Sequence, residues 1–170
     1  MSDDTDPSAP PGFVVHVDHV PETPSAYPAP WESIPLSSGR DLGAALGTRT
    51  LGVYVDSLAP GRQTSLTHAH SDEEELAFVL SGACTLHVVH PDGRVEDVPL
   101  RAGHAASFPA GTGIAHCFRD ADPSAGPCVL LVIGERRPGV DRVTYPEHPE
   151  FEAWLRSRRP ERVWAPVTPR

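Results

Sequence analysis

In Leu66-Thr67-His68-Ala69-His70 two histidines stand one residue apart. On a strand, alternate side chains point to the same side. Leu66, His68 and His70 would then share one face, with two imidazoles in reach of a single ion. A carboxylate follows at Glu75, at the head of the apolar run Leu76–Leu80 that Ser81-Gly82 closes. Glu73 and Glu74 compete for the same role. The separation from Gly82 favours Glu75, and alternation turns Glu74 to the opposite face. A third imidazole can come from His116, which opens a run after the glycine-rich stretch Gly103–Gly113. Imidazole nitrogens with a carboxylate oxygen suit a hard or borderline divalent cation. Three histidines and one carboxylate leave two positions of an octahedral ion for water, oxygen or a chelating substrate. These donors do not choose among iron, manganese, zinc and nickel. Burying them in an apolar interior without an ion would be costly.

These residues lie in a region built of short strands. Between Leu51 and Gly134, apolar or alternating runs recur with Gly, Pro or Asp between them: 51–58, 64–70, 76–80, 83–89, 94–101, 105–108, 115–119 and 128–133. Pro91-Asp92-Gly93 reads as a hairpin turn. Many short strands without intervening helices predict an all-β sandwich or barrel. Leu76, Phe78 and Leu80 make the second face of their strand apolar as well, so that face needs a cover. Residues 1–30 form a Pro-rich segment expected to be largely disordered, with Phe13–Val17 as a possible edge strand. The barrel domain is expected over 31–147. In the segment 148–170, Phe151, Trp154 and Leu155 at helical spacing predict a short helix before Pro160, then a Pro-rich tail.

Composition narrows the partners. The 170 residues hold 23 acidic and 14 Lys or Arg residues, a formal net charge of -9. Such a chain is a poor ligand for nucleic acid or an anionic membrane, which need clustered cations. The late arginines Arg156, Arg158, Arg159 and Arg162 read as a solvated surface. No apolar run spans a bilayer, and the acidic, Pro-rich start lacks the features of a secretory leader. The three cysteines, Cys84, Cys117 and Cys128, form no CxxC pair, and read as core residues of a protein in the reducing cytoplasm. The remaining histidines, His16, His19, His87, His90, His104 and His148, read as surface or satisfied core residues.

Two spaced patterns then coincide. Gly61, His68-x-His70, Glu75 and Gly82 resemble the first sequence motif of the cupins, and Gly103, Pro109-x-Gly111 and His116 resemble the second. The resemblance implies a double-stranded β-helix, or jelly-roll barrel, here with a short C-terminal helix. It implies one divalent metal inside, held by His68, His70, Glu75 and His116, and a homodimer. The whole chain is most similar to small stand-alone cupins, through Asp72-Glu73-Glu74-Glu75, Pro109–Gly113 and Gly134-Glu135-Arg136-Arg137. Some of these carry a label of likeness to sugar-phosphate isomerases, which is analogy alone. The chain departs from the pattern in a Pro109–His116 loop longer by two residues, in Asp120 where Asn is usual, and in His104 where an acidic residue is common.

The function expected is that of a metal-dependent enzyme on a small polar, carboxylate-bearing or sugar-like molecule: a dioxygenase, decarboxylase, isomerase or lyase. The alternative is a non-catalytic barrel that binds a small molecule or a metal. No organic cofactor is implied, and no catalytic acid or base can be named. Tyr54 is a candidate hydroxyl for the pocket. Arg49, Arg62 and Arg101 are candidate anion anchors, and nothing ranks them.

Overall fold

A computed structural model describes residues 12–164. Of the segment 1–30 expected to be largely disordered, residues 1–11 lie outside the described residues, as do 165–170 of the tail, while 12–30 carry a 3-10 turn at Val17–His19 and a two-residue strand at Thr23–Pro24.

The chain folds into a mostly β structure. Six strands form one sheet: β1 (Thr23–Pro24), β2 (Ser38–Asp41), β3 (Leu51–Leu58), β5 (Glu75–Ser81), β8 (Ala105–Phe108) and β10 (Cys128–Glu135). Their order across the sheet is β1-β2-β3-β10-β5-β8. Three further strands, β6 (Ala83–Val89), β7 (Val95–Arg101) and β9 (Ala115–Arg119), form a second sheet in the order β7-β6-β9. A small third ladder pairs β4 (Ala69–His70) with β11 (Val143–Thr144). Every ladder is antiparallel. The sheets face each other as in a jelly roll without closing into a continuous barrel. Two short helices complete the fold, α1 (Leu42–Leu46) and α2 (Pro149–Arg158).

The core fills the space between the two large sheets. Leu58, Ala77, Val79, Phe108 and Leu130 come from the first, and Cys84, Leu86, Val88, Leu100 and Phe118 from the second. Alternation puts these inside and leaves Leu76, Phe78 and Leu80 of β5 on the outer face, 42%, 37% and 46% exposed. The hairpin at Pro91–Gly93 forms as its residues require: Gly93 takes a positive φ of 85° and the His90 N–H donates to Arg94 O. At the turn from β5 to β6, Gly82 has φ 75°, and a Cβ there would stand 2.7 Å from the Pro127 carbonyl oxygen. Only glycine fits this crossing of the two sheets. Asp120, at φ 53°, is in the left-handed region, where Asn and Asp are the least strained residues with a side chain.

Two expected strands differ. Phe13–Val17 is not a strand. His16 Nδ1 accepts from the Asp18 N–H and starts a 3-10 turn at Val17–His19, and the edge is instead formed by Thr23–Pro24 against Ser38–Gly39. The run 64–70 is laddered only at Ala69–His70. Its earlier backbone and side-chain groups are bonded elsewhere, with the Leu66 N–H on the Tyr27 hydroxyl and the Phe118 N–H on Thr64 Oγ1. The C-terminal helix buries Phe151, which packs edge-on against Tyr27, Trp31 and Tyr145 at centroid distances of 5.0, 5.5 and 4.8 Å.

Candidate metal centre

His68 and His116 are fixed beside each other by their own backbones. The His68 N–H donates to His116 O at 3.2 Å and the His116 N–H to His68 O at 2.9 Å. This reciprocal pair holds the rings 5.2 Å apart between centroids. His70 lies one alternation further on, its ring 5.0 Å from that of His68. Glu75 enters from the first sheet, paired with Phe108 on one side and Gly134 on the other. His68, His70 and Glu75 each bring a donor atom within 4.8 Å of the others. His116 joins through Glu75, with Nε2 donating to Oε1 at 3.1 Å, and Phe108 stacks on its ring at 3.3 Å. All four residues singled out in the sequence are thus gathered in one place.

The tautomers matter more than the proximity. His68 Nδ1 lies 2.8 Å from the Leu66 carbonyl oxygen, which can only accept. His70 Nδ1 lies 2.8 Å from Asp141 Oδ2. Both rings therefore carry a proton on Nδ1, which leaves Nε2 as the nitrogen for an ion, the arrangement of metal-binding histidines. His116 contributes a buried Nδ1 without a partner among the described residues. Burial, helped by the neighbouring His116 and His70, pushes the His68 pKa down to about 3, so its ring is neutral. Burial alone would raise Glu75, but the hydrogen bond from His116 and the three imidazoles hold it at about 2, as a carboxylate. Burial would lower the His70 pKa, but the hydrogen bond to Asp141 and the charges of Asp141, Glu75 and Glu73 raise it, so an ion would have to displace a proton there. Imidazole nitrogens around an ionised carboxylate are a donor set that fits a divalent cation.

Asp141 was not legible in the sequence. It is 1% exposed, bonds His70, and accepts the Asp72 N–H at 3.0 Å through its other oxygen. Burial raises its pKa, while His70 and the backbone donors more than reverse this and keep it low. It lies 71 residues from His70 and reaches it because β11 runs against β4, with Val143 opposite His70. The same strap carries Glu147, which accepts from Thr67 Oγ1 at 2.8 Å and bonds His87 Nε2 at 2.9 Å. His87 Nδ1 reaches Asp97 at 2.7 Å, so this buried histidine is fully satisfied, as expected. Tyr145, also on the strap, stacks on His68 at 6.0 Å.

A cavity of about 140 Å³ opens from the donors and is lined by Asp56, Thr64, Ser65, His68, Glu75, Phe118 and Val132. Asp56 was also missed. It comes from β3 and faces inward opposite Gly39, whose missing side chain makes its room: a Cβ at Gly39 would stand 2.3 Å from Asp56 Oδ1. Burial, then the charge of Glu75, raises the Asp56 pKa to about 6. Among the residues the sequence kept in reserve, Arg62 is occupied by Leu36 O at 2.7 Å, and His104 is exposed on a turn, where Nδ1 accepts the Arg101 N–H.

The model of the cupin domain matches residues 54–134, from within β3 into β10. A sugar phosphate isomerase of the cupin superfamily from Silicibacter pomeroyi is 30% identical, with 79% of this chain and 82% of that one covered and a TM-score of 0.66. The chain belongs to the cupin family. A second structure, from Acidithiobacillus ferrooxidans and provisionally described as a sugar phosphate isomerase, is 31% identical over 66% of each chain, with a TM-score of 0.58. A Thermotoga maritima protein, described as an oxalate decarboxylase by prediction, is 18% identical over 73% of this cupin and 99% of its own length. Its TM-score of 0.54 is a likeness of fold. No curated protein matches. Among the described residues of this cupin, no helix is long and apolar enough to cross a membrane.

Proposed function

We propose that this cupin is a metal-dependent enzyme for a small polar molecule, with one divalent ion, iron, manganese, zinc or nickel, held by His68, His70, Glu75 and His116. The observation that carries this reading is the pair of Nδ1 donations, from His68 to Leu66 O and from His70 to Asp141, which leave Nε2 of each ring as the nitrogen for an ion beside Glu75. An ion held there would supply Lewis acidity at its open positions. The protein supplies the rest. Phe108 and Phe118 exclude water around His116, and Asp56 stands in the cavity as a carboxyl able to hold a proton. The relatives described as sugar phosphate isomerases favour a sugar-like substrate with an acidic group. The exposed stripe Leu76, Phe78 and Leu80 supports a homodimer in which a second copy covers this face.

Elemental analysis of the purified protein beside H68A and E75Q tests the centre. The expected result is about one metal per wild-type chain and loss in both variants. No metal in the wild type after reconstitution with each of the four ions removes the proposal. Bound metal without turnover of any sugar phosphate or small carboxylate would leave a binding module.

A further inference from the structure

We infer that Arg136, seated over Gly52 beside Tyr54, is the anchor for an anionic oxygen group, a phosphate or a carboxylate, on the ligand of this cupin. It rests on the proposed metal centre only for where the other end of that ligand lies.

The register fixes the place. Across the first sheet Gly52, Gly134, Glu75 and Phe108 form one row, each paired with the next. Glu75 is the carboxylate of the site, and the next two positions of the row on the side away from Phe108 are glycines. With strands about 4.8 Å apart, Gly52 lies roughly 10 Å from the Glu75 backbone, and no side chain stands between them. The guanidinium of Arg136, an exposed residue just past the end of β10, lies over the Gly52 end of this row. A Cβ at Gly52 would stand 2.9 Å from Arg136 Nε and Nη2. Alternation gives the same direction: Leu130 is in the core, Val132 lines the cavity, Gly134 follows, and Arg136 is next on that side. Its backbone is held by the Arg136 N–H on Thr50 O at 2.9 Å.

The guanidinium is held but not neutralised. It lies 5.2 Å from the centre of the Tyr54 ring and donates to the Tyr54 hydroxyl. Among the described residues no carboxylate pairs with it, whereas the adjacent Arg137 is bonded to Glu135 at 2.8 Å. Four of its five N–H groups stay free for a planar or tetrahedral anion, the geometry that arginine recognises best. The net charge of -9 repels anions from the molecule as a whole, so selective anion binding needs a local cation of this kind. Tyr54 is not among the residues that line the cavity; its hydroxyl accepts from Arg136 instead, and the anchor is an arginine that the sequence had placed only within a segment shared with similar cupins. A ligand that spans the row from Glu75 to Gly52 is a few carbon atoms long, with an acidic group at the end away from the donors.

The test is titration of the full-length protein with inorganic phosphate and, separately, acetate, followed by calorimetry and by the Arg136 Nε–H resonance, assigned from its loss in R136Q. Saturable binding that shifts this resonance is expected, with at least a tenfold weaker Kd in R136Q. G52A, which displaces the guanidinium from its seat, should also weaken it. Preference for phosphate would point to a phosphate ester, preference for acetate to a carboxylic acid, and either supports the anchor. H68A should bind the anion as wild type does, which separates this site from the metal centre: metal retained in H68A would sink the centre and leave the anchor. Absence of saturable binding to the wild type, or a Kd in R136Q within twofold of wild type, overturns the proposal.

Discussion

Replacing Asp56 with Asn should make the metal-free protein more stable at pH 8 and leave it unchanged at pH 4. Asp56 is an inward carboxyl that receives no hydrogen bond among the described residues, and burial and the nearby Glu75 raise its pKa to about 6 from an ordinary 3.8. The folded state therefore binds the Asp56 proton more tightly than the unfolded chain does. Below pH 4 both states are protonated and the residue is neutral in its effect. As pH rises from about 4 to 6 the unfolded chain releases its proton first, and stability is lost. Above pH 6 the loss is complete. The gap between the two values corresponds to about 3 kcal/mol, and screening by cavity water reduces this to ~1–3 kcal/mol. Asn has the same size, fits the room left by Gly39, and carries no charge. Urea unfolding of both proteins in EDTA, at half-unit steps from pH 4 to pH 8, gives the difference directly. A stability gain that grows through pH 4–6 and then stays level is expected. A D56N effect that does not vary with pH, or one that falls as pH rises, refutes the argument that a charged Asp56 opposes Glu75 in a poorly hydrated cavity.

Other outcomes follow from the same geometry. D141N keeps the shape of the strap but replaces the carboxylate that accepts from His70, so the affinity for the bound ion should fall about 10–100-fold in competition with a chelator, while the fold stays intact by circular dichroism. F78E places a charge on the exposed apolar stripe of β5, and light scattering at one concentration should find the wild type a dimer and F78E a monomer. F151A removes the centre of the aromatic cluster under α2 and should cost about 3–5 kcal/mol in denaturant unfolding.

Much of the barrel and of the candidate site was legible along the chain. The period of two in Leu51–Leu58, Ala83–Val89, Ala105–Phe108 and Ala115–Arg119 gave those strands to the residue, because a strand's burial pattern is written in its own side chains. His68, His70, Glu75 and His116 could be named because a pair of donors on one strand needs a fixed spacing, and glycines and a proline mark the turns beside them. Asp141, Asp56 and Arg136 carry no such mark. Each is an acid or an arginine in a chain with 23 acidic and 14 basic residues, and nothing local separates it from its neighbours. What selects them is pairing across the chain: β11 against β4 brings Asp141 to His70, β2 against β3 makes room for Asp56 at Gly39, and β10 against β3 sets Arg136 over Gly52. Antiparallel registers between segments up to about 80 residues apart depend on the whole closed set of contacts rather than on any one segment. The sequence alone determined which residues could be donors and which runs would be strands. The tertiary structure alone decided which acid orients a donor, which stands uncompensated in the cavity, and which cation is set over the glycine row beside Glu75.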